Sequence, residues 1–279
     1  MLNSTTEQQS DRNLSPEEVQ IIERFKIIKA VLLIMSGKGG VGKSTVAVNL
    51  ALTFAAEGKN VGILDIDLHG PNIAKLLGIE QERLAATPDG IEPVEILPNL
   101  KAVSLALLGM DPDQPVIWRG PLKTGAIKQF LGEVNWGELD YLIIDAPPGT
   151  GDEPLSVVQL IPQITGAIIV TTPQDVAILD SRKSVLFAKR LHMPVVGIIE
   201  NMSGLTCPHC HQPIYLFKQG GGQKAADELN VNFLGALPIQ PELVEYGDAG
   251  RPFLQMQSDS DYVQRFKAIA AKVAEFVGN

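Results

Sequence analysis

Gly37, Lys38, Gly39, Gly40, Val41, Gly42, Lys43, Ser44 and Thr45 follow one another without a break, so four glycines and two ammonium groups share one short stretch. That mixture suits phosphate. Glycines let backbone N–H groups converge on phosphate oxygens with no Cβ in the way, and the start of a following helix adds positive potential. The spacing Gly37-x-x-x-x-Gly42-Lys43-Ser44 fits the Walker A pattern. In it Lys43 reaches the β- and γ-phosphates of ATP and the Ser44 hydroxyl ligates Mg²⁺. One lysine is enough for that task, which leaves Lys38 to be explained.

Two carboxylate clusters stand where such a site needs them, at the ends of apolar runs. "LDIDLHGPN" contains Asp65 and Asp67, and "YLIIDAPPGTGD" contains Asp145 and Asp152. Asp145 is the natural Walker B acid, holding Mg²⁺ through water. Asp67 is placed to orient or deprotonate the attacking water, and Asp65 to fix the magnesium shell. Asp152 either joins them or caps a helix. Gly149 and Gly151 would let the loop after Asp145 shift when the γ-phosphate leaves, as switch loops do.

The only cysteines are Cys207 and Cys210, in "CPHC". Such a pair serves structural zinc, a redox disulfide or an iron–sulfur cluster. Zinc and a [4Fe–4S] cluster usually take four protein ligands. His209 and His211 would complete a zinc site within one chain only by crowding all four ligands into a few residues. Symmetry is the more economical solution: two thiolates from each of two copies make four.

The elements that must position these groups are legible in the pattern. "AVLLIM", "VGILDID", "YLIIDAP", "GAIIVTT", "VVGIIEN" and "NFLGALP" are almost continuously apolar, as in strands covered on both faces of a parallel sheet. Helical candidates fall between them at 43–57, 153–160, 176–191, 220–229 and 241–248. A closing helix carries the stripe Val263, Phe266, Ala270, Val273 and Val277. The expected fold is α/β, a mostly parallel central sheet with helices on both faces. Ser15, Pro16, Glu17 and Glu18 form a helix start: a capping oxygen, a pre-set φ and two acids favoured by the helix dipole. The expected organisation is a disordered tail and short helix over 1–26, then one domain over 27–279 with a CxxC loop near 205–213. Residues 80–120 read as a short-stranded excursion.

The chain has 279 residues and net charge −9, with no long run of Lys or Arg. A nucleic-acid or anionic-membrane footprint is therefore not expected. No segment approaches a membrane span, and the polar first residues lack the apolar stretch of a secretory signal. Two cysteines are too few for a disulfide framework, so a reducing cytoplasm is the expected compartment.

Together these motifs resemble a known family. "GKGGVGKST", with its early lysine, is similar to the deviant Walker A of the MinD/ParA septum-positioning and plasmid-partition ATPases and the nitrogenase iron protein. Within that superfamily, "DIDLHGPN", "WRGP", "DAPPGTGDEP", "TTPQDVAILDSRK", "ENMSGLTCPHC" and the glycines at 220–222 resemble the Mrp/ApbC iron–sulfur cluster carriers over about residues 30 to 277. The resemblance implies a P-loop NTPase of the deviant Walker A class that binds and hydrolyses ATP with Mg²⁺. It implies a homodimer that bridges a [4Fe–4S] cluster, zinc being a possible substitute, and passes it from assembly donors to apoproteins. By the same resemblance Lys38 crosses the dimer interface to the other copy's nucleotide, Asn201 contacts adenine and Pro238 closes over the base. His211 stands where many relatives carry glycine. No cysteine precedes the first strand, so a second, N-terminal cluster is not expected.

Two other readings stay open. A positioning or partition ATPase would need a basic tail or surface. The closing segment instead mixes Arg265, Lys267 and Lys272 with Asp259, Asp261 and Glu275. A nucleotide-binding scaffold with structural zinc would carry no cluster traffic.

Overall fold

The apolar runs are strands. The computed structural model describes residues 14–67, 70–108, 120–252 and 260–278. The first dozen residues, Leu68 and His69 of "DIDLHGPN", and Trp118 and Arg119 of "WRGP" lie outside the described residues. The chain runs through α1 (Pro16–Phe25), β1 (Ile28–Ser36), α2 (Lys43–Ala56), β2 (Val61–Asp65), α3 (Ile73–Leu77), β3 (Ala85–Thr87) and β4 (Gly90–Glu92). It continues through β5 (Val94–Leu97), β6 (Leu100–Ser104), α4 (Gly120–Glu133), β7 (Leu139–Asp145), α5 (Asp152–Leu160), β8 (Gly166–Thr171) and α6 (Asp175–Arg190). The remainder is β9 (Val195–Glu200), β10 (Leu205–Thr206), β11 (Pro213–Ile214), α7 (Gly221–Leu229), β12 (Phe233–Ala236), α8 (Glu242–Asp248) and α9 (Asp261–Gly278).

Eight strands form the main sheet in the order β12-β9-β8-β1-β7-β2-β6-β5. All neighbours are parallel except β5, which pairs antiparallel to β6 at the edge. Alternate residues of β1 serve opposite layers, because strand side chains repeat with period two. Leu32 and Ile34 join the core under α2 and α9, while Leu33 and Met35 join the core under α1, α4 and α7. Covering both faces explains why the strands carry unbroken apolar runs rather than alternation. The Phe54 ring of α2 stacks on Tyr141 of β7 at 4.1 Å between centroids, a contact worth about 1 kcal/mol beyond area burial. It seats the phosphate-loop helix on the sheet.

Ser15 caps α1 as expected, and the structure adds the reciprocal bond of a capping box: Glu18 N donates to Ser15 Oγ at 3.2 Å, and Ser15 N donates to Glu18 Oε2 at 2.8 Å. The described part of the 80–120 excursion is short-stranded, as expected: β3 and β4 form their own hairpin, and β5 and β6 extend the main sheet. Helix α4 was not among the helical candidates.

Candidate functional site

Strand β1 delivers the chain to Ser36, the glycine loop turns, and α2 leaves at Lys43. Two of the glycines are demanded by geometry. Gly42 caps α2 at φ +84°, and a Cβ there would stand 2.2 Å from Asn201 Nδ2. Gly37 has ordinary torsions, but a Cβ would stand 2.3 Å from the Asp180 backbone carbon of α6. Ser36 Oγ donates to Lys38 O at 2.9 Å and closes the loop on itself. The first amides of α2 have no partner within the helix and face the space above the loop.

Three parallel strands end level with one another, so Ser104 of β6, Asp65 of β2 and Asp145 of β7 sit in lateral register. Lys43 Nζ donates to Asp145 Oδ1 at 2.6 Å and lies 3.5 Å from Asp67 Oδ2. Ser44 Oγ donates to Asp145 Oδ2 at 2.5 Å. Lys43, Asp65, Asp67 and Asp145 are all buried. The two acids of "DID" part company here. Asp65 Oδ1 accepts from Asp67 N at 3.1 Å, an Asx-type turn. Its Oδ2 accepts from Ile73 N at 3.1 Å and Ser104 Oγ at 3.0 Å. Asp65 thus shapes the turn that presents Asp67 to Lys43, and its oxygens are turned toward the protein.

Burial, reinforced by the charge of Asp145, pushes the Asp65 carboxyl up to about 8. Burial also raises Asp145, against the pull of the Lys43 ammonium. A carboxyl raised on folding makes the folded state bind more protons than the unfolded one, so stability falls as pH climbs through the folded value. Nucleotide-free protein should therefore lose thermal stability between about pH 6 and pH 8, by roughly 1.4 kcal/mol per pH unit while the carboxyl remains protonated. Melting temperatures of wild type and Asp65→Asn across that window provide the check. The variant should flatten the slope, and equal slopes would remove Asp65 as its source.

A cavity of about 550 Å³ opens above the loop, bounded by Gly40, Lys43, Thr45, Asp67, Asn201 and Pro238. Gly39 and Ser44 also face it, whereas Val41 is packed into the core. Asn201 is fixed from two sides: its amide N donates to Thr171 O at 2.7 Å and its Nδ2 to Val41 O at 2.9 Å. Lys38 is partly exposed and has no side-chain partner among the described residues. Gly149 N donates to Ser36 O at 2.8 Å, tying the loop after Asp145 to the phosphate loop. Asp152 is the exposed first residue of α5, where a carboxylate complements the helix dipole.

The cysteines occupy a hairpin tip. Strands β10 and β11 pair antiparallel, Cys207 N donates to Gln212 O at 2.9 Å, and His211 N donates to Cys207 O at 2.9 Å. His211 lies at φ +57°, the left-handed region that favours glycine. The backbone amides of Cys210 and His209 point at the Cys207 sulfur and hold its thiol below the usual range. Both thiols are free, Cys207 partly exposed and Cys210 exposed. Among the described residues no three His, Cys, Asp or Glu side chains converge on a metal position.

One residue escaped the sequence reading. Glu200, at the end of β9, is fully buried and accepts from Ser203 Oγ at 2.6 Å, Gly220 N at 2.9 Å and Gly222 N at 2.5 Å. The available signal was a lone charge closing an apolar strand, with three consecutive glycines downstream.

A parallel sheet whose central strand feeds a glycine loop, beside a strand ending in Asp145, defines a P-loop NTPase of the MinD/ParA type. The family described as ParA, NUBPL iron-transfer P-loop NTPase, matches residues 27–274, and the chain belongs to it. An iron–sulfur cluster carrier protein from Methanocaldococcus jannaschii is 50% identical over 264 residues, covering 95% of this chain and 90% of the relative. A nucleotide-binding protein from Archaeoglobus fulgidus, solved in complex with ADP and with cobalt found, superposes at TM-score 0.77 and 39% identity, over 89% of this chain and 96% of that one. The cell division ATPase MinD of Pyrococcus furiosus shares the fold at TM-score 0.65 and 22% identity, over 88% of this chain and 99% of that one. Among the described residues no helix is long and apolar enough to cross a membrane.

Proposed function

We propose that this chain is a nucleotide-switched carrier: two copies hold a [4Fe–4S] cluster between their Cys207–Cys210 pairs and pass it to apoproteins. One observation carries the reading. A single chain combines a phosphate loop whose Lys38 lacks a described partner with an exposed tip that offers only two thiols. Both are half of something, and a two-fold dimer completes both.

In the phosphate site, Lys43 and the amides of Gly39 to Thr45 bind the β- and γ-phosphates, and Asp67 orients or deprotonates the attacking water. Ser44, Asp67 and Asp145 are hard oxygen donors grouped around Lys43, a set that fits Mg²⁺. When bound, that ion neutralises phosphate charge. Asp65 supports the set from behind by holding the Asp67 turn. Asn201 and Pro238 enclose the adenine. Lys38 reaches the nucleotide of the second copy. At the tip, the amides of His209 and Cys210 favour the Cys207 thiolate, the ligating form. Transfer is ligand exchange: acceptor thiolates replace Cys207 and Cys210 at iron, with no net redox change. The whole cycle is proposed for the cytoplasm.

A nucleotide-binding scaffold with structural zinc is the rival that shares most of these features. Anaerobic reconstitution with iron and sulfide separates the two. The carrier should give a brown species that absorbs in the visible, contains about two iron atoms per chain and disappears in Cys207→Ala. Colourless protein with tightly held zinc would establish the scaffold instead.

A further inference from the structure

Glu200 is a buried carboxylate for which the site just described has no use. Its surroundings give it a place between the two halves of the proposal. On one side, the next residue, Asn201, donates to Val41 O inside the phosphate loop at 2.9 Å. Leu237 N donates to Glu200 O at 2.8 Å, and Ile239 N donates to Gly204 O at 2.7 Å, so the segment is laced to the chain around Pro238. On the other side, Ser203 and Gly204 lead into β10 and the cysteine tip, and a Cβ at Gly204 would stand 3.3 Å from the Tyr215 ring just past β11. The carboxylate reaches across this junction. One oxygen takes the Ser203 hydroxyl and Gly220 N, and the other takes Gly222 N at the start of α7. Gly222 leaves little room for anything else, since a Cβ there would stand 2.9 Å from Glu200 Cβ.

We propose that Glu200 is a positioning residue that couples the nucleotide pocket to the CxxC tip, through its bonds to Ser203 and to the glycines at 220 and 222. A carboxylate does this where an amide cannot. Three donors converge on two oxygens, and Gln would turn an NH₂ toward either Gly222 N or the Ser203–Gly220 pair. Capping α7 alone would explain the two glycine bonds but not the bond to Ser203 at the root of the tip. The inference rests on the reading that the pocket takes ATP and the tip takes metal.

The test measures the alkylation rate of Cys207 and Cys210 by iodoacetamide in reduced, metal-free full-length chain, with and without ATP and a non-hydrolysable analogue. In wild type, nucleotide should slow alkylation about fivefold or more, as expected for a typical coupling between sites. Glu200→Gln should keep nucleotide affinity within about threefold while the alkylation ratio falls toward one, a separation that a purely structural cap would not produce. Ser203→Ala removes only the tip-side bond and should lose at least half of the effect. It decides the question alone if Glu200→Gln does not fold. A wild-type ratio of one overturns the carrier reading together with this inference. A responsive wild type with equally responsive Glu200→Gln, or with equally responsive Ser203→Ala where Glu200→Gln does not fold, overturns the role of Glu200 and leaves the carrier reading standing.

Discussion

Lys43→Ala lowers nucleotide turnover by roughly 10³-fold or more, a loss at the upper end for removing one preorganised charge from a transition state. The expectation follows from where the ammonium is held. It lies 2.6 Å from Asp145 and 3.5 Å from Asp67, buried at the mouth of the phosphate loop, where the proposed function has phosphate charge grow. No other lysine of the described residues contacts these carboxylates. Removing it takes the ammonium away from the buried Asp145 carboxylate, which would be strongly destabilising if that group stayed ionised. Asp145 offers relief by taking a proton, because burial already raises it and loss of Lys43 removes the main opposing charge. The variant should therefore stay folded near pH 6 and weaken as pH rises. Phosphate release, nucleotide affinity and melting temperature, measured on one preparation, test each part. Unchanged turnover in a folded variant would move the catalytic site elsewhere.

The dependence on a few local features explains what was legible in the sequence. The phosphate loop shows in one dimension because its demands are local: glycine at Gly42 for a positive φ, and at Gly37 for the close passage of α6. Strands β1, β2, β7, β8, β9 and β12 show because the helices over both faces leave no polar side to dilute the pattern. Helix α4 is hard to see because helix-weakening Gly125 and Gly132 interrupt it, although Ile127, Phe130 and Leu131 share one buried face. The membership of β5 and β6 in the main sheet is invisible for another reason. It depends on pairing with β2, across α3 and the β3–β4 hairpin, and short strands carry little register information of their own. The same limit hid the division of labour in "DID". Spacing of two would put both acids on one face of a continuing strand. Strand β2 stops at Asp65, however, and the Asx-type turn sends Asp67 to Lys43 while Asp65 faces Ser104. Glu200 was hidden likewise, because two of its three donors come from some twenty residues downstream.

Lys38→Ala should separate binding from turnover in a way that Lys43→Ala does not. Lys38 lies in the same loop but partly exposed, outside the group formed by Lys43, Asp67 and Asp145, and without a described partner. Within one chain it contributes little, so ATP affinity should stay within about threefold of wild type, the range of a minor surface-charge effect. Turnover should nevertheless fall about 10²-fold, because in the proposed dimer the lost cation would act on the phosphates of the facing copy when charge develops there. Nucleotide-dependent assembly should fall with it. Two acidic chains of net charge −9 repel each other, and in the proposed dimer a cation seated on the opposite phosphates would offset part of that repulsion. Light scattering with a non-hydrolysable ATP analogue should give dimer mass for wild type and monomer mass for Lys38→Ala, with Lys38→Arg intermediate because it keeps charge but changes shape. The same experiment reaches the cysteine tip. If the thiolates of two copies must meet to hold a cluster, a chain that cannot pair on ATP should lose nucleotide control over cluster release even with Cys207 and Cys210 intact. Normal turnover by a Lys38→Ala monomer would mean that one copy is chemically sufficient, and the two half-sites would then need separate explanations.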